Sequence, residues 1–520
     1  SARFAEAGSA LDQANAMAIA LVQALPQTRD LYGSAQHMLR AGEKSSQAGA
    51  LLAKGMTLAF EEPTLHPDDR LLTFRTYLTS AQSLLDEARA AAAGARTDRL
   101  ASDMRQKAEA LGSALAFSQA SLRDLRAILD VLIDAVGHDR PRSYLVLFQN
   151  QTELRPTGGF MGSLAEVTFD RGEIKKIFVP GGGPYDFRNQ LLARVAPPKP
   201  LRLVGGRWEF QDANWFPDFP ATAEKIRWFW SKSGQPTLDG VFAVNETVME
   251  DLLRITGPIE MPAYGKIVTA DTFLSETQKQ VELEYDKEEN KPKKFIGDLM
   301  LKVLERLRTG SRDEWLRTLA VLAESLEKKD IQIAFTDPEQ DELASRFRWR
   351  GEIKPDRGDY LAIVEANIAG QKTDAVIDED VLQEVHIAEN GTIEETVTLT
   401  RTHHGERGEL FRGANNVAYV RVYVPQGSLL LDADGFDAPS STYFETPLRG
   451  DPEDPDVERI VQHEREEVPD VITTDEFGAT AFGGWLQLPP GQTRVTRFRY
   501  RLPFTAFEMA RAYADIPSSS

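Results

Sequence analysis

Residues 143–180 run SYLVLFQNQTELRPTGGFMGSLAEVTFDRGEIKKIFVP. Residues 144–148 are a short apolar run, the pattern of a strand covered on both faces. Residues 163–169 and 173–179 are two further strand-length segments. Asp170-Arg171-Gly172 joins them, and Gly172 can take positive φ, so the pair is expected to form a hairpin. Between the first two strands lies a polar, glycine-bearing connection, residues 149–163.

Upstream of Pro141 the periodicity is helical. Met104, Ala108, Leu111, Leu115, Ser118, Leu122, Leu125, Leu129 and Leu132 are spaced by alternating fours and threes. That places them in one stripe along a long helix, as in a coiled coil or elongated bundle. Leu11, Ala14, Ala18, Leu21 and Leu25 show the same rhythm, and Gly137 followed by Pro141 supplies a stop. Residues 1–137 therefore read as a helical stalk or bundle. Such a stripe ordinarily buries a seam; a partner-binding surface is the alternative.

Downstream, helices and strands alternate. Residues 221–230 and 246–255 read as helices around a strand at 240–245, and the second helix ends at Gly257-Pro258. Residues 295–308 and 314–326 are amphipathic, and 331–335 and 360–364 are strand-like. This alternation predicts a layered α/β domain over residues 141–370. Beyond it β patterns dominate. Asn390-Gly391 sits between two strand-like runs, and residues 417–424 and 495–502 alternate. A C-terminal β-sandwich-like domain is expected over 375–510, with the acidic, proline-interrupted stretch 449–470 as a solvated loop. The fold class is thus multi-domain α+β.

With 520 residues the chain is long enough for two to four domains, and its 42% hydrophobic and 27% charged residues are ordinary for a globular protein. The net charge of −20 argues against non-specific nucleic-acid binding, which needs a basic footprint. Cysteine is absent, which removes disulfides, thiolate metal sites and thiol nucleophiles. No window approaches the ~20 apolar residues of a membrane helix. The chain opens with Ser1-Ala2-Arg3, so a membrane anchor, where the gene encodes one, would precede it.

The densest polar constellation is the 149–163 connection. Its glycines, Gly158 and Gly159 among them, let backbone turn tightly or approach a ligand, and loop amides bind anions. Arg155 and Thr157 lie beside them. A tight turn explains the glycines equally well, and an ion pair with Glu153 or Asp186 would account for Arg155. Lys291-Pro292-Lys293-Lys294 is a basic cluster in an acidic chain, at what reads as a helix start that attracts anions. Its plainer reading is a solvated charge run. Asp212 and Asn214 stand among Trp215, Phe216 and Phe219, a mixture that suits a sugar or a cation, or else a capped helix with packed aromatics. His403-His404 lacks a third ligand at metal-site spacing. No established catalytic or nucleotide-binding pattern with the right flanks occurs.

The run ELRPTGGFMGS after YLVLFQN resembles the bacterial family called domain of unknown function 4012. DANWFPDFP (212–220), LDGVFAVNETVMEDLLRITGPIEMP (238–262), EANIAGQKTD (365–374) and RVYVPQGS (421–428) extend the likeness. The resemblance implies an extracytoplasmic envelope protein, membrane-anchored or at the cell surface. More distantly, the order of parts is similar to the LytR–CpsA–Psr phosphotransferases, which transfer polyprenyl-pyrophosphate-linked glycans to the cell wall. By position, that likeness makes Arg155 a pyrophosphate-binding residue, Asp186 the partner of a missing arginine, and Lys293 and Lys294 the basic residues of a helix. It implies Mg²⁺ as a cofactor and a lipid-linked glycan as partner. Two departures weaken it. Thr157-Gly158-Gly159 replaces a cation-holding Asp, and Pro180-Gly181-Gly182 replaces Pro-Arg. Two readings therefore stay open. One is a protein that binds or transfers a (pyro)phosphate-linked lipid or glycan, with Arg155 and Asp186 catalytic and Arg155, Thr157, Gly158, Gly159, Lys293, Lys294, Asp212 and Asn214 binding. The other is a non-catalytic surface scaffold.

Overall fold

Three long helices open the computed structural model, which describes residues 29–61, 65–97, 102–188, 190–355 and 358–514. They are α1 (Arg29–Glu61), α2 (Pro67–Ala93) and α3 (Ser102–Ala135). The stripe at Leu11 to Leu25 lies outside the described residues. Small side chains allow close packing: Ala41 and Ala48 of α1 meet Ala81, Leu85 and Ala88 of α2 and Leu115 of α3. On α3 the buried positions are Ala108, Leu115, Gln119, Leu129 and Ile133. The seam thus departs from the expected stripe: Gln119 and Ile133 are buried in place of Ser118 and Leu132, and Met104, Leu125 and Leu132 are exposed. Gln119 earns its inward position by hydrogen bonding, since Arg89 donates to its Oε1 at 2.9 Å.

These helices form one compact unit with the tip of a hairpin, residues 168–176. The tip turns through Arg171 (φ 52°) and Gly172 (φ 78°), the pair of left-handed residues that a two-residue hairpin requires. A Cβ on Gly172 would lie 2.8 Å from the Asp68 amide nitrogen, so only glycine fits. Burial tends to raise the Asp68 carboxyl, but hydrogen bonds from His138, His66 and Arg171 prevail and hold its pKa at about 2.

The second unit, residues 143–167 and 177–520, holds three large sheets. Its first sheet contains β1 (Arg142–Asn150), β2 (Phe160–Asp170) and β3 (Glu173–Phe178). The helix α4 (Phe219–Lys232) follows, capped by Asp218, whose carboxylate accepts from the Ala221 amide. Then come β4 (Gly240–Asn245), α5 (Glu246–Thr256), the two-stranded pair β5 (Ile259–Met261) and β6 (Lys266–Val268), and α6 (Phe273–Lys279). Two further helices, α7 (Lys294–Arg308) and α8 (Arg312–Lys328), precede β7 (Ile331–Phe335) and α9 (Pro338–Arg346). A capping box between Ser311 and Glu314 starts α8. The strand order is β3-β2-β1-β4-β7. Strands β1 and β4 run parallel, with Tyr144 opposite Gly240 and Gln149 opposite Asn245, while β7 is antiparallel to β4.

The remaining strands form two antiparallel sheets. They are β8 (Ala362–Asn367), β9 (Ile377–Ile387), β10 (Thr392–His403), β11 (Asn416–Pro425) and β12 (Leu429–Asp434), followed by the short helix α10 (Pro455–Ile460). Next are β13 (Gln462–Val468), β14 (Val471–Glu476), β15 (Ala479–Leu488), β16 (Thr493–Thr505) and a last helix, α11 (Ala506–Ala514). One sheet has the order β12-β16-β10-β9 and the other β13-β14-β15-β11-β8. They share an apolar cluster that includes Val397, Val420, Val422, Phe482, Phe498 and Tyr500. Two expectations need correction. The strand expected to close the α/β domain, β8, instead pairs with β11 of the C-terminal sheet. The stretch 449–470 is not all loop, because α10 and β13 lie within it.

A single core cluster runs from the central sheet into the C-terminal one. Leu145, Leu147 and Val241 share it with Trp208, Phe229 and Trp230, and also with Tyr419 and Trp485. Within this region Lys225 of α4 is 1% exposed. Its ammonium lies 2.7 Å from Asp454 Oδ2 and 2.5 Å from Asp456 Oδ2, between the rings of Trp208 and Trp228. Asp454 also caps α10 by accepting from the Asp456 and Val457 amides. This ion pair explains why an acidic segment folds inward. Asp454→Ala would leave a buried ammonium with one carboxylate and an uncapped helix. The expected loss is about 3–5 kcal/mol, read from urea unfolding. A Lys225→Met, Asp454→Leu pair should lose less than the single change.

Candidate functional site

Because β1 and β4 are parallel, Asn150 and Asn245 end at the same edge of the sheet, the position at which open α/β sheets bind ligands. A cavity of about 820 Å³ opens there. Its deep wall is apolar and comes from four helices. Met249 and Leu252 belong to α5, Phe273 and Leu274 to α6, Leu299, Met300 and Val303 to α7, and Leu322 to α8. Its mouth is polar, with Glu153, Arg155, Asp212, Glu246, Lys293 and Lys372 around it.

The 149–163 connection folds onto the strand ends. A Cβ on Gly158 (φ 130°) would lie 2.7 Å from Asn245 Oδ1, and one on Gly159 would lie 2.5 Å from the Asn150 carbonyl. These glycines permit a close approach of backbone to sheet, and they do not line the cavity. Thr157 and Asn214 are buried scaffold as well. Asn214 Nδ2 donates to Thr157 Oγ1 at 3.1 Å and to the Gly159 carbonyl at 2.9 Å. Gln149 and Gln332 each donate to the Thr157 carbonyl, at 3.0 and 2.7 Å.

Arg155 does line the cavity, but its guanidinium is engaged. It donates to the carbonyls of Asn367 and Leu154 and to Glu153 Oε1 at 3.3 Å, and it lies 3.6 Å from Asp212 Oδ1. The Phe160 ring covers it at 5.0 Å. Burial raises the Glu153 and Asp212 carboxyls, and Arg155 pulls both back. Asp186 is turned away. It is exposed, accepts from the Gly182 amide at 2.9 Å, and is not in the cavity wall. The basic cluster divides in two. Lys294 opens α7 from the exposed side and pairs with Glu289 at 3.0 Å, whereas Lys293 faces the cavity. Among the described residues Lys293 makes no ion pair, and desolvation brings its pKa down to about 8.

Three mouth residues were not singled out by the sequence. Lys372 approaches Glu153 at 3.8 Å and Glu282 at 3.9 Å. Arg188 lies over the Tyr185 ring at 5.3 Å. Glu246, the first residue of α5, accepts from the Gln151 amide at 3.1 Å, and desolvation raises its pKa to about 7 despite Lys372 nearby. A helix-opening glutamate after a strand was the only signal for Glu246, and none pointed to Lys372.

Mg²⁺ can be tested against these donors. Glu153 and Asp212 are the closest pair of carboxylates to Arg155, and the cation between them is that guanidinium. No group of three or more His, Asp or Glu among the described residues could hold a metal ion. These donors do not fit the ion. His404 pairs with Asp378, and His403 Nε2 meets the Ala414 carbonyl.

Residues 139–281 match the family model described as Protein of unknown function (DUF4012). No curated protein matches the chain. The DUF4012 segment carries β1 to α6, and with them Glu153, Arg155, Asp212 and Glu246. Lys293, Lys372, α7 and α8 lie beyond it, so the matched segment supplies one side of the cavity and the following residues the other.

The folded Glu246 pKa of about 7 lies above its ordinary value of 4.5. The fold therefore holds a proton that the unfolded chain has lost, and the cost of ionisation appears as pH rises from 4.5 through 7. Glu246→Gln should stabilise the protein at pH 8 by about 1–3 kcal/mol and change little at pH 4. Thermal unfolding across that range checks it.

Proposed function

We propose that this protein is an extracytoplasmic envelope component that binds a phosphate- or pyrophosphate-linked lipid or glycan, with the lipid in the apolar cavity and the anion at its mouth. The observation that carries the reading is the junction itself: about 820 Å³ of largely apolar space opening beside Lys293. Each methylene that enters such a wall contributes about 0.8 kcal/mol. Lys293 supplies an ammonium without an ion pair, and Arg188 a second cation at the rim. The central sheet with its helices reads as a layered domain similar to the LytR–CpsA–Psr phosphotransferases, and the two C-terminal sheets as a β-sandwich-like module. An N-terminal anchor preceding Ser1 would hold the protein at the membrane.

Binding without transfer is the better-supported form of this reading. Arg155 is saturated by Glu153, Asp212 and two carbonyls, which makes it a positioning residue for the mouth. Asp186 and Lys294 lie off the cavity, so neither takes part. The scaffold reading draws on the same closure of Arg155, and it predicts that the cavity takes no amphiphile.

Titration calorimetry with farnesyl phosphate separates the two. The protein should bind it, bind farnesol more weakly, and bind inorganic phosphate weakest. Lys293→Met should weaken farnesyl phosphate about 10–100-fold, the value of one charge-assisted contact, and leave farnesol unchanged. Val303→Trp should weaken both by filling the cavity. Affinity for the phosphate should fall as pH rises through about 8, where Lys293 loses its charge. Failure of the wild-type protein to bind farnesyl phosphate removes the proposal.

A further inference from the structure

A second cavity, of about 210 Å³, adjoins the mouth of the first. Arg188, Val204, Gln211 and Asp212 stand in the walls of both, so the two spaces share one partition. Arg188 is the cation of that partition. Among the described residues it makes no ion pair, and its guanidinium lies over the Tyr185 ring. The other arginine of the smaller cavity, Arg207, is held by Asp451 at 2.6 and 3.1 Å. Backbone bonds fix the frame. The Gly206 amide donates to Glu445 Oε2 at 2.9 Å, the Leu448 amide to the Gly206 carbonyl at 3.0 Å, and the Glu445 amide to the Arg202 carbonyl at 2.8 Å. A wall ordered in advance loses little freedom on binding.

Two enclosed acceptors in this wall have no donor. Glu209 Oε2 and Gln211 Oε1 are buried without a hydrogen-bond partner among the described residues, and Gln211 is 6% exposed. Folded proteins satisfy nearly all such atoms, because an unmet acceptor forfeits the hydrogen bonds it had in water. Burial raises the Glu209 carboxyl, and Arg188 and then Arg207 pull it back. Apolar carbon from Pro197, Leu201, Val204 and Leu448 completes the lining. Val204 and Leu448 are 47% and 45% exposed. A sugar suits both parts: its hydroxyls bring several donors on one compact ring, and its C–H faces cover apolar side chains. An ammonium also donates, but it would give up its hydration beside the Arg188 charge.

We propose that the smaller cavity is a sugar subsite. Arg188 holds a phosphate at the partition, and a glycosyl group on that phosphate donates hydroxyl protons to Glu209 Oε2 and Gln211 Oε1. This rests on the phosphate-binding reading above and narrows its ligand class to glycosyl phosphates. With a lipid tail in the larger cavity, tail and sugar flank one phosphate.

Phosphorus NMR titration of the whole chain with glucose 1-phosphate and with methyl phosphate reads the subsite without a lipid. Glucose 1-phosphate should bind about tenfold more tightly, the value of one or two hydrogen bonds. Glu209→Leu should bring the ratio of the two affinities close to one, and the ratio cancels any change of charge beside Arg188. Gln211→Met is the second variant and should lower the same ratio. Arg188→Met should weaken both phosphates about tenfold. Equal affinities in the wild type, or a ratio that survives both substitutions, overturns the proposal. So does tighter binding of ethanolamine phosphate than of glucose 1-phosphate, which would make the pocket an ammonium site. Farnesyl phosphate is titrated separately. If it does not bind while glucose 1-phosphate keeps its advantage, the lipid reading fails and the sugar subsite stands.

Discussion

The Arg155 guanidinium is the constraint from which the mouth of the cavity is built. It holds a loop of the central sheet to the strand end at Asn367 and gathers Glu153 and Asp212 around one positive charge. Neighbouring bonds reinforce the join. The Leu154 amide donates to Asp374 Oδ2 at 2.8 Å, the Asn367 amide to the Leu154 carbonyl at 3.0 Å, and the Asp374 amide to the Thr152 carbonyl at 3.2 Å. Residues 152–155 are thereby zipped to residues 367–374. That zipper carries Lys372 to the mouth, some two hundred residues along the chain from the loop it faces.

Electrostatics at the mouth follows from this closure. Burial penalises every charge there, so the groups survive as mutually compensating sets or shift toward neutrality. Arg155 is shared by two carboxylates, and Lys372 lies between Glu153 and Glu282. Desolvation lowers Lys293, which has no ion pair among the described residues, to about 8 and raises Glu246 to about 7. A mouth so balanced gives little long-range attraction to an anion in an acidic chain. Under the proposed lipid-binding reading, affinity comes from burying the tail, with Lys293 fixing which end stays outside.

Periodicity made much of the architecture legible. The apolar run 144–148, the hairpin at Asp170-Arg171-Gly172 and the helix–strand–helix around residues 240–245 carry their own local signals, and each forms where those signals place it. The site was less legible. Of the candidates named from sequence, Arg155, Asp212 and Lys293 reach the cavity. Thr157, Gly158, Gly159 and Asn214 build the wall behind it. Glycines that let a loop approach a ligand and glycines that let it approach a strand look identical in sequence. Lysines 293 and 294 are adjacent yet point to different surroundings, because successive residues at a helix start are about 100° apart. Strand β8 carries the same apolar pattern whichever sheet accepts it, and only its pairing with β11 decides the matter.

The same ambiguity separates the stalk from α8, which bury different positions despite similar apolar spacing. On α3 a shift of one position at Gln119 and Ile133 still leaves a seam against α2, and the polar Gln119 is satisfied there by Arg89. On α8 the inward side carries Leu322 between Thr318 and Ser325, and Thr318 is satisfied within its own helix by the Glu314 carbonyl at 2.8 Å. Burying those two hydroxyls adds little beside the apolar contact of Leu322. Exposing Trp315, Leu316 and Leu319 forgoes the larger hydrophobic term, about 25 cal/mol for each Å² left in water.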